Sequence, residues 1–122
     1  MDNLKMLCVD DQCAIRTLLK EIFEEDYIVK TVSSGKEAIK EAKEFRPHIA
    51  IVDMKLNNMK GTEVINKLKE IDPDIRSIIL TGYGEERTEE IMKSNVEMVL
   101  KKPFDVNEIK SIINKLMETA EA

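Results

Sequence analysis

Five short apolar runs alternate with five stretches of helical periodicity, and this alternation leaves very few folds open to the chain. Leu4 to Val9 is the first run, and Ile15, Leu18, Leu19, Ile22 and Phe23 follow at the spacing of one helix face. Tyr27 to Val32 predicts a second strand. Ser34 and Glu37 then match a capping box, Ala38, Ile39, Ala42 and Phe45 form the inner face of a second helix, and Arg46-Pro47 stops it. His48 to Val52 predicts the third strand, and Val64, Ile65 and Leu68 the third helix, which Asp72-Pro73-Asp74 ends. Ile75 to Leu80 is the fourth strand, with Thr81-Gly82-Tyr83-Gly84 as a turn after it. The fourth helix, Glu85 to Ser94, has only Ile91 and Met92 to bury and is expected to be the least anchored element. Val96 to Leu100 predicts the fifth strand. Asp105 and Glu108 then cap a last helix with Val106, Ile109, Ile112, Ile113 and Leu116 facing inward.

Strands that alternate with helices imply parallel strands joined by right-handed crossovers, with helices covering both faces of the sheet. Near-continuous apolar strands agree, because parallel strands are buried on both faces. At 122 residues the expectation is one α/β domain, doubly wound, spanning 1–122 with no output domain. Apolar residues at 43% and charged residues at 35% support a core and a solvated exterior. Nineteen basic against 24 acidic residues leave a net charge of -5, so there is no electrostatic reason to bind nucleic acid or an anionic membrane. Protein partners are the better expectation. No apolar run approaches the roughly 20 residues that span a bilayer, and the first five residues lack the pattern of a signal peptide, which predicts a cytoplasmic protein. Cys8 and Cys13 lack metal or redox spacing and are expected to be buried or partly buried thiols. His48, the only histidine, is expected to be a strand-boundary residue.

Open sheets of this kind bind ligands outside the carboxyl ends of their strands, where the strand order reverses. Asp10 and Asp11 follow the first strand, Asp53 the third, Thr81 the fourth, and Lys102 the fifth. All five therefore belong at one edge. Each pair of like charges at about 4 Å costs on the order of 4 kcal/mol at an effective dielectric near 20, so three carboxylates call for a cation. Carboxylate oxygens, water and a main-chain carbonyl suit Mg²⁺, and no soft ligand for zinc is present. The metal and Lys102 would leave room for an anion, to which the Thr81 hydroxyl could donate, and a phosphoryl group fits. A carboxylate can carry that group covalently. Asp53, alone at its strand end beside a flexible loop, is the better nucleophile, while adjacent Asp10 and Asp11 suit the metal.

Val9-Asp10-Asp11-Gln12, Val52-Asp53-Met54-Lys55, Leu80-Thr81-Gly82 and Lys102-Pro103-Phe104 resemble, in order and along the whole chain, the receiver domain of two-component response regulators. The resemblance implies a flavodoxin-like (βα)5 fold with strand order 2-1-3-4-5, and phosphorylation of Asp53 by a sensor histidine kinase or a histidine phosphotransfer protein. It implies Mg²⁺ held by Asp10, Asp11, Asp53 and the carbonyl of Lys55. Thr81 and Lys102 would contact the phosphoryl oxygens and couple phosphorylation to the fourth strand, the next helix and the fifth strand. Within the family, Asp11-Gln12, Ile15-Arg16-x-Leu18-Leu19, Asp53-Met54-Lys55, Thr81-x-Tyr83-Gly84-Glu85 and Lys102-Pro103-Phe104-Asp105 look like stand-alone receivers of sporulation phosphorelays. That likeness implies a monomer meeting its partner through Gln12, Ile15, Leu18, Tyr83, Pro103 and Phe104. Ile15 and Leu18 are also candidates for plain core packing.

Two departures and one pair of positions shape the expectation further. Asn57 stands where the family often has proline, which predicts a looser loop, although Gly61 matches the usual glycine. Val99 replaces an aromatic ring that turns inward in many receivers, so coupling by ring rotation is closed to this chain. Lys55 and Tyr83 occupy positions where bulk shields the acyl phosphate, which predicts slow self-dephosphorylation. The expected role is a relay intermediate. The alternatives are a terminal single-domain regulator and, more remotely, an aspartate-nucleophile phosphohydrolase, against which Lys55 stands where such enzymes place a second aspartate.

Overall fold

Parallel strands and amphipathic helices succeed one another along the whole chain in the computed structural model, which describes residues 4–82 and 89–121. Strand β1 (Lys5–Val9) leads to α1 (Cys13–Phe23), β2 (Ile28–Val32) to α2 (Gly35–Phe45), and β3 (Ile49–Asp53) to α3 (Gly61–Ile71). Then come β4 (Arg76–Thr81), α4 (Glu89–Met92), β5 (Met98–Lys101) and α5 (Val106–Glu121). The sheet is five-stranded and parallel in the order β2-β1-β3-β4-β5, the expected (βα)5 flavodoxin-like arrangement. The turn residues Tyr83 and Gly84 and the expected helix start at Glu85 lie outside the described residues.

Alternate strand residues feed two cores, one on each face of the sheet. Leu7, Val9, Ala50, Val52 and Ile79 pack with Ala38 and Ala42 of α2, Val64, Ile65 and Leu68 of α3, and Ile91 of α4. Met6, Cys8, Ile49, Ile51, Ile78, Leu80 and Leu100 pack with Leu19 and Phe23 of α1 and with Ile109, Ile113 and Met117 of α5. Every residue of β3 is buried, as a central parallel strand requires. Helix α2 opens as expected. The Ser34 hydroxyl accepts the Glu37 N–H at 3.1 Å, and the Glu37 carboxylate reaches back to the Ser33 N–H and both serine hydroxyls.

The helix faces settle one open choice and need three corrections. Leu18 is 38% exposed while Leu19 is fully buried, because adjacent helix positions point about 100° apart and only one can face the sheet. Met92, 73% exposed beside buried Ile91, follows the same rule. In α5 the buried stripe runs Ile109, Ile113, Met117, and Val106, in the first turn ahead of it, is exposed. Cys13 at the start of α1 is exposed, whereas Cys8 is buried as expected. Among the described residues, no helix is long and apolar enough to cross a membrane.

Candidate functional site

The strand register sets the site. Val9 pairs with Val52, Asp53 with Leu80, and Thr81 with Lys101, so the carboxyl ends of β1, β3, β4 and β5 finish at one level. Backbone bonds carry the alignment past the strands: Asp10 N–H donates to Val32 O, Met54 N–H to Leu80 O at 2.8 Å, and Lys102 N–H to Thr81 O at 2.8 Å. Asp10, Asp11, Asp53, Thr81 and Lys102 are thereby brought to one edge, as their places in the sequence predict.

Asp10 is wholly buried, yet each of its oxygens is engaged. Oδ1 accepts the Gln12 N–H at 2.9 Å, Oδ2 accepts Lys102 Nζ at 3.0 Å, and the main-chain carbonyl accepts an Arg16 guanidinium N–H at 2.8 Å. Lys102 also lies 3.0 Å from Asp53 Oδ1 and 3.4 Å from the side-chain oxygen of Gln12. One carboxylate oxygen from each of Asp10, Asp11 and Asp53 falls within 4.8 Å of the others. Among the described residues, the Lys102 ammonium thus bridges two members of a three-carboxylate cluster.

The electrostatics show the shortfall of positive charge. Burial pushes the Asp53 carboxyl up to about 6, the Lys102 hydrogen bond opposes the rise, and the Asp10 and Asp11 charges add to it. Burial disfavours the Lys102 ammonium, but its bonds to Asp10 and Asp53 outweigh that and hold its pKa above the ordinary lysine value. Thr81 is fully buried, and its hydroxyl oxygen has no hydrogen-bond partner among the described residues. An orphaned buried hydroxyl beside clustered carboxylates fits a site completed by a hard cation and an oxyanion. All-oxygen donors suit Mg²⁺.

The loop after Asp53, expected to be looser, is fastened at both ends. Gly61 N–H donates to Met54 O at 2.7 Å, Leu56 N–H to Met59 O at 3.2 Å, and Lys55 bridges Lys60 in antiparallel fashion. Met54 and Leu56 are buried and Lys55 is exposed at the rim. On the other flank Ile15, Leu18, Lys102, Pro103 and Phe104 line a shallow cavity of about 340 Å³, and Gln12 is the N-cap residue of α1. The Lys102–Pro103 peptide bond is cis. Ile15 also packs against the core, so it answers to both sequence expectations, whereas Leu18 answers to the exposed one. Val99 packs against the α2–α3 side of the core. Tyr83 lies outside the described residues. The grip of Arg16 on the Asp10 carbonyl was not foreseen, since a contact six residues back from a helix into a strand end follows no local spacing rule.

The model of the response regulator receiver domain matches residues 6–114. Sporulation initiation phosphotransferase F of Bacillus subtilis is 38% identical over 96% of this chain and 96% of its own length. Chemotaxis protein CheY of Thermotoga maritima is 27% identical, over 92% of this chain and 96% of its own. The crystal structure of a CheY-like receiver domain protein from Methanospirillum hungatei superposes with a TM-score of 0.91 at 26% identity, covering 98% of both chains. With the fold, the strand-end cluster and a family match across most of its length, this protein belongs to the response regulator receiver domain family.

Proposed function

We propose that the protein is a cytoplasmic, monomeric receiver that takes a phosphoryl group from a phosphohistidine onto Asp53 and passes it to a histidine phosphotransfer partner. The observation that carries this is the Lys102 ammonium set 3.0 Å from both Asp53 and Asp10, next to a buried Thr81 hydroxyl with no partner of its own among the described residues. Asp53 Oδ attacks phosphorus, the new O–P bond forms as the donor's N–P bond breaks, and the electron pair remains on the imidazole nitrogen. Lys102 holds the nucleophile in place and then faces the phosphoryl oxygens, to which Thr81 donates its hydroxyl. Asp10, Asp11, Asp53 and the Lys55 carbonyl would hold Mg²⁺, whose contribution when bound is neutralisation of the carboxylate and phosphoryl charge. Binding, alignment and charge matter more here than any acid or base.

The donor would be a sensor histidine kinase or a phosphotransfer protein, docked at Gln12, Ile15, Leu18, Tyr83, Pro103 and Phe104. Likeness to the B. subtilis sporulation protein over nearly its full length supports a relay role in a sporulation-type pathway. Incubation with acetyl phosphate and Mg²⁺ followed by intact-mass measurement tests the chemistry. The wild type should gain one phosphoryl group and Asp53→Asn none; equal labelling of both rules out Asp53 as acceptor. Mixing the labelled protein with a histidine phosphotransfer protein tests the direction, and label that stays on Asp53 identifies a terminal regulator instead.

A further inference from the structure

The end of the sheet away from Asp53 holds a cavity of about 660 Å³ at the amino ends of β1, β3 and β4. Neither the phosphoacceptor chemistry nor the rule that open α/β sheets bind ligands at their carboxyl ends accounts for it. Lys5, Arg46, His48 and Arg76 line it together with Asp72 and Asp74. We propose that this cavity is a second binding site, for a small oxyanion of the phosphate or carboxylate kind.

Three observations support the assignment. The cations are unspent: among the described residues Arg46 and Arg76 form no ion pair, the Lys5 ammonium faces the Phe45 ring and no carboxylate, and Arg76 Nε is buried without a hydrogen-bond partner. A buried guanidinium N–H left unbonded is costly, and an oxyanion is the ligand its fork geometry matches. The scaffold is rigid. His48 N–H donates to Lys5 O at 2.9 Å, Arg76 N–H donates to His48 O at 3.0 Å, and Lys5 N–H donates to His48 Nδ1 at 3.0 Å. With Nδ1 accepting, the neutral imidazole carries its proton on Nε2 and adds a donor. The acidic rim is partly occupied, because one Asp72 oxygen accepts the Asp74 N–H at 3.0 Å. Those carboxylates favour an anion that also carries a hydroxyl or amino donor.

Because His48 is the only histidine, its ring gives one NMR signal at the site. The full protein, without Mg²⁺, is titrated with inorganic phosphate and separately with citrate, against sodium chloride at equal ionic strength. A saturable shift of the His48 ring is expected with one or both anions and not with chloride. Phosphate alone would assign phosphate compounds and citrate alone carboxylates. Arg46→Gln, at an exposed position, and Arg76→Gln should each raise the apparent Kd about tenfold, while labelling of Asp53 by acetyl phosphate stays unchanged. A shift that chloride reproduces, or that Arg46→Gln leaves intact in a folded protein, overturns the proposal.

Discussion

Gly61 sits so close to the end of β3 that a β-carbon on it would come within 2.5 Å of the Asp53 carbonyl oxygen. The Asp53 carbonyl oxygen and the Met54 Cα are backbone, so shifting the end of the Ile79 side chain would not relieve the clash. Gly61→Ala is expected to cost about 1–3 kcal/mol through overpacking and to slow labelling of Asp53. A urea melt and the acetyl phosphate assay measure the two effects, and wild-type behaviour in both would mean the loop is freer than its contacts indicate.

Asp53→Asn should stabilise the metal-free protein at neutral pH. The folded-state pKa of Asp53 is raised from 3.8 to about 6, so the native state favours the protonated form, and ionisation costs stability progressively as pH climbs from 4 through 6. Asparagine resembles the protonated carboxyl, and the gain at pH 7.5 is on the order of 1–3 kcal/mol. It should vanish near pH 4. Thermal melts of both proteins across that range give the comparison, and a mutant less stable than wild type at pH 7.5 would contradict it.

Glu97 ties the start of β5 to its neighbours. One carboxylate oxygen accepts both the N–H and the hydroxyl of Ser77 at 2.8 Å, and the other accepts Lys69 Nζ at 2.6 Å. Burial tends to raise its pKa, but the Lys69 and Ser77 bonds prevail and lower it. A depressed carboxyl pKa contributes stability above the unfolded value, about 4.3, and loses it as pH falls through the folded one. Glu97→Gln should therefore be less stable by about 1–3 kcal/mol at pH 7, with the gap closing on acidification. A gap that widens toward low pH would refute this.

The thiols should separate cleanly in a labelling experiment. Burial, reinforced by the Asp10 charge, pushes the Cys8 thiol far above its ordinary pKa, while Cys13 is exposed. A thiol reagent is expected to titrate one cysteine in the native protein and both after denaturation. Cys13→Ser should abolish the native reaction.

The neighbouring leucines of α1 offer a paired test of the partner face. Leu19→Ala should cost about 2–5 kcal/mol as a core truncation, whereas Leu18→Ala should stay within about 0.5 kcal/mol and slow transfer to a histidine phosphotransfer protein. If Leu18→Ala transfers at the wild-type rate, that face is elsewhere.

The strands and the strand-end site were legible because burial on both faces writes parallel strands as unbroken apolar runs, and their last residues must share an edge. Ile49 to Val52 shows this directly, since it is buried throughout and ends on Asp53. Side-chain facing was harder to see. Leu18 and Leu19 differ only in rotation about the helix, and the sequence pattern admits either inside. The amino-end cavity was not legible at all, because Lys5, His48 and Arg76 become neighbours only through the register of three strands.

Lys102 and Asp10 are 92 residues apart in sequence, and their contact closes the site. Local structure cannot bring them together; β1, β3, β4 and β5 must already lie in register, which makes this among the costliest loops to close during folding. A chain emerging from the ribosome therefore carries Asp10 and Asp53 well before Lys102, whose ammonium cannot meet them until β5 has docked. Assembly of the strand-end cluster therefore reports that β1, β3, β4 and β5 have all docked.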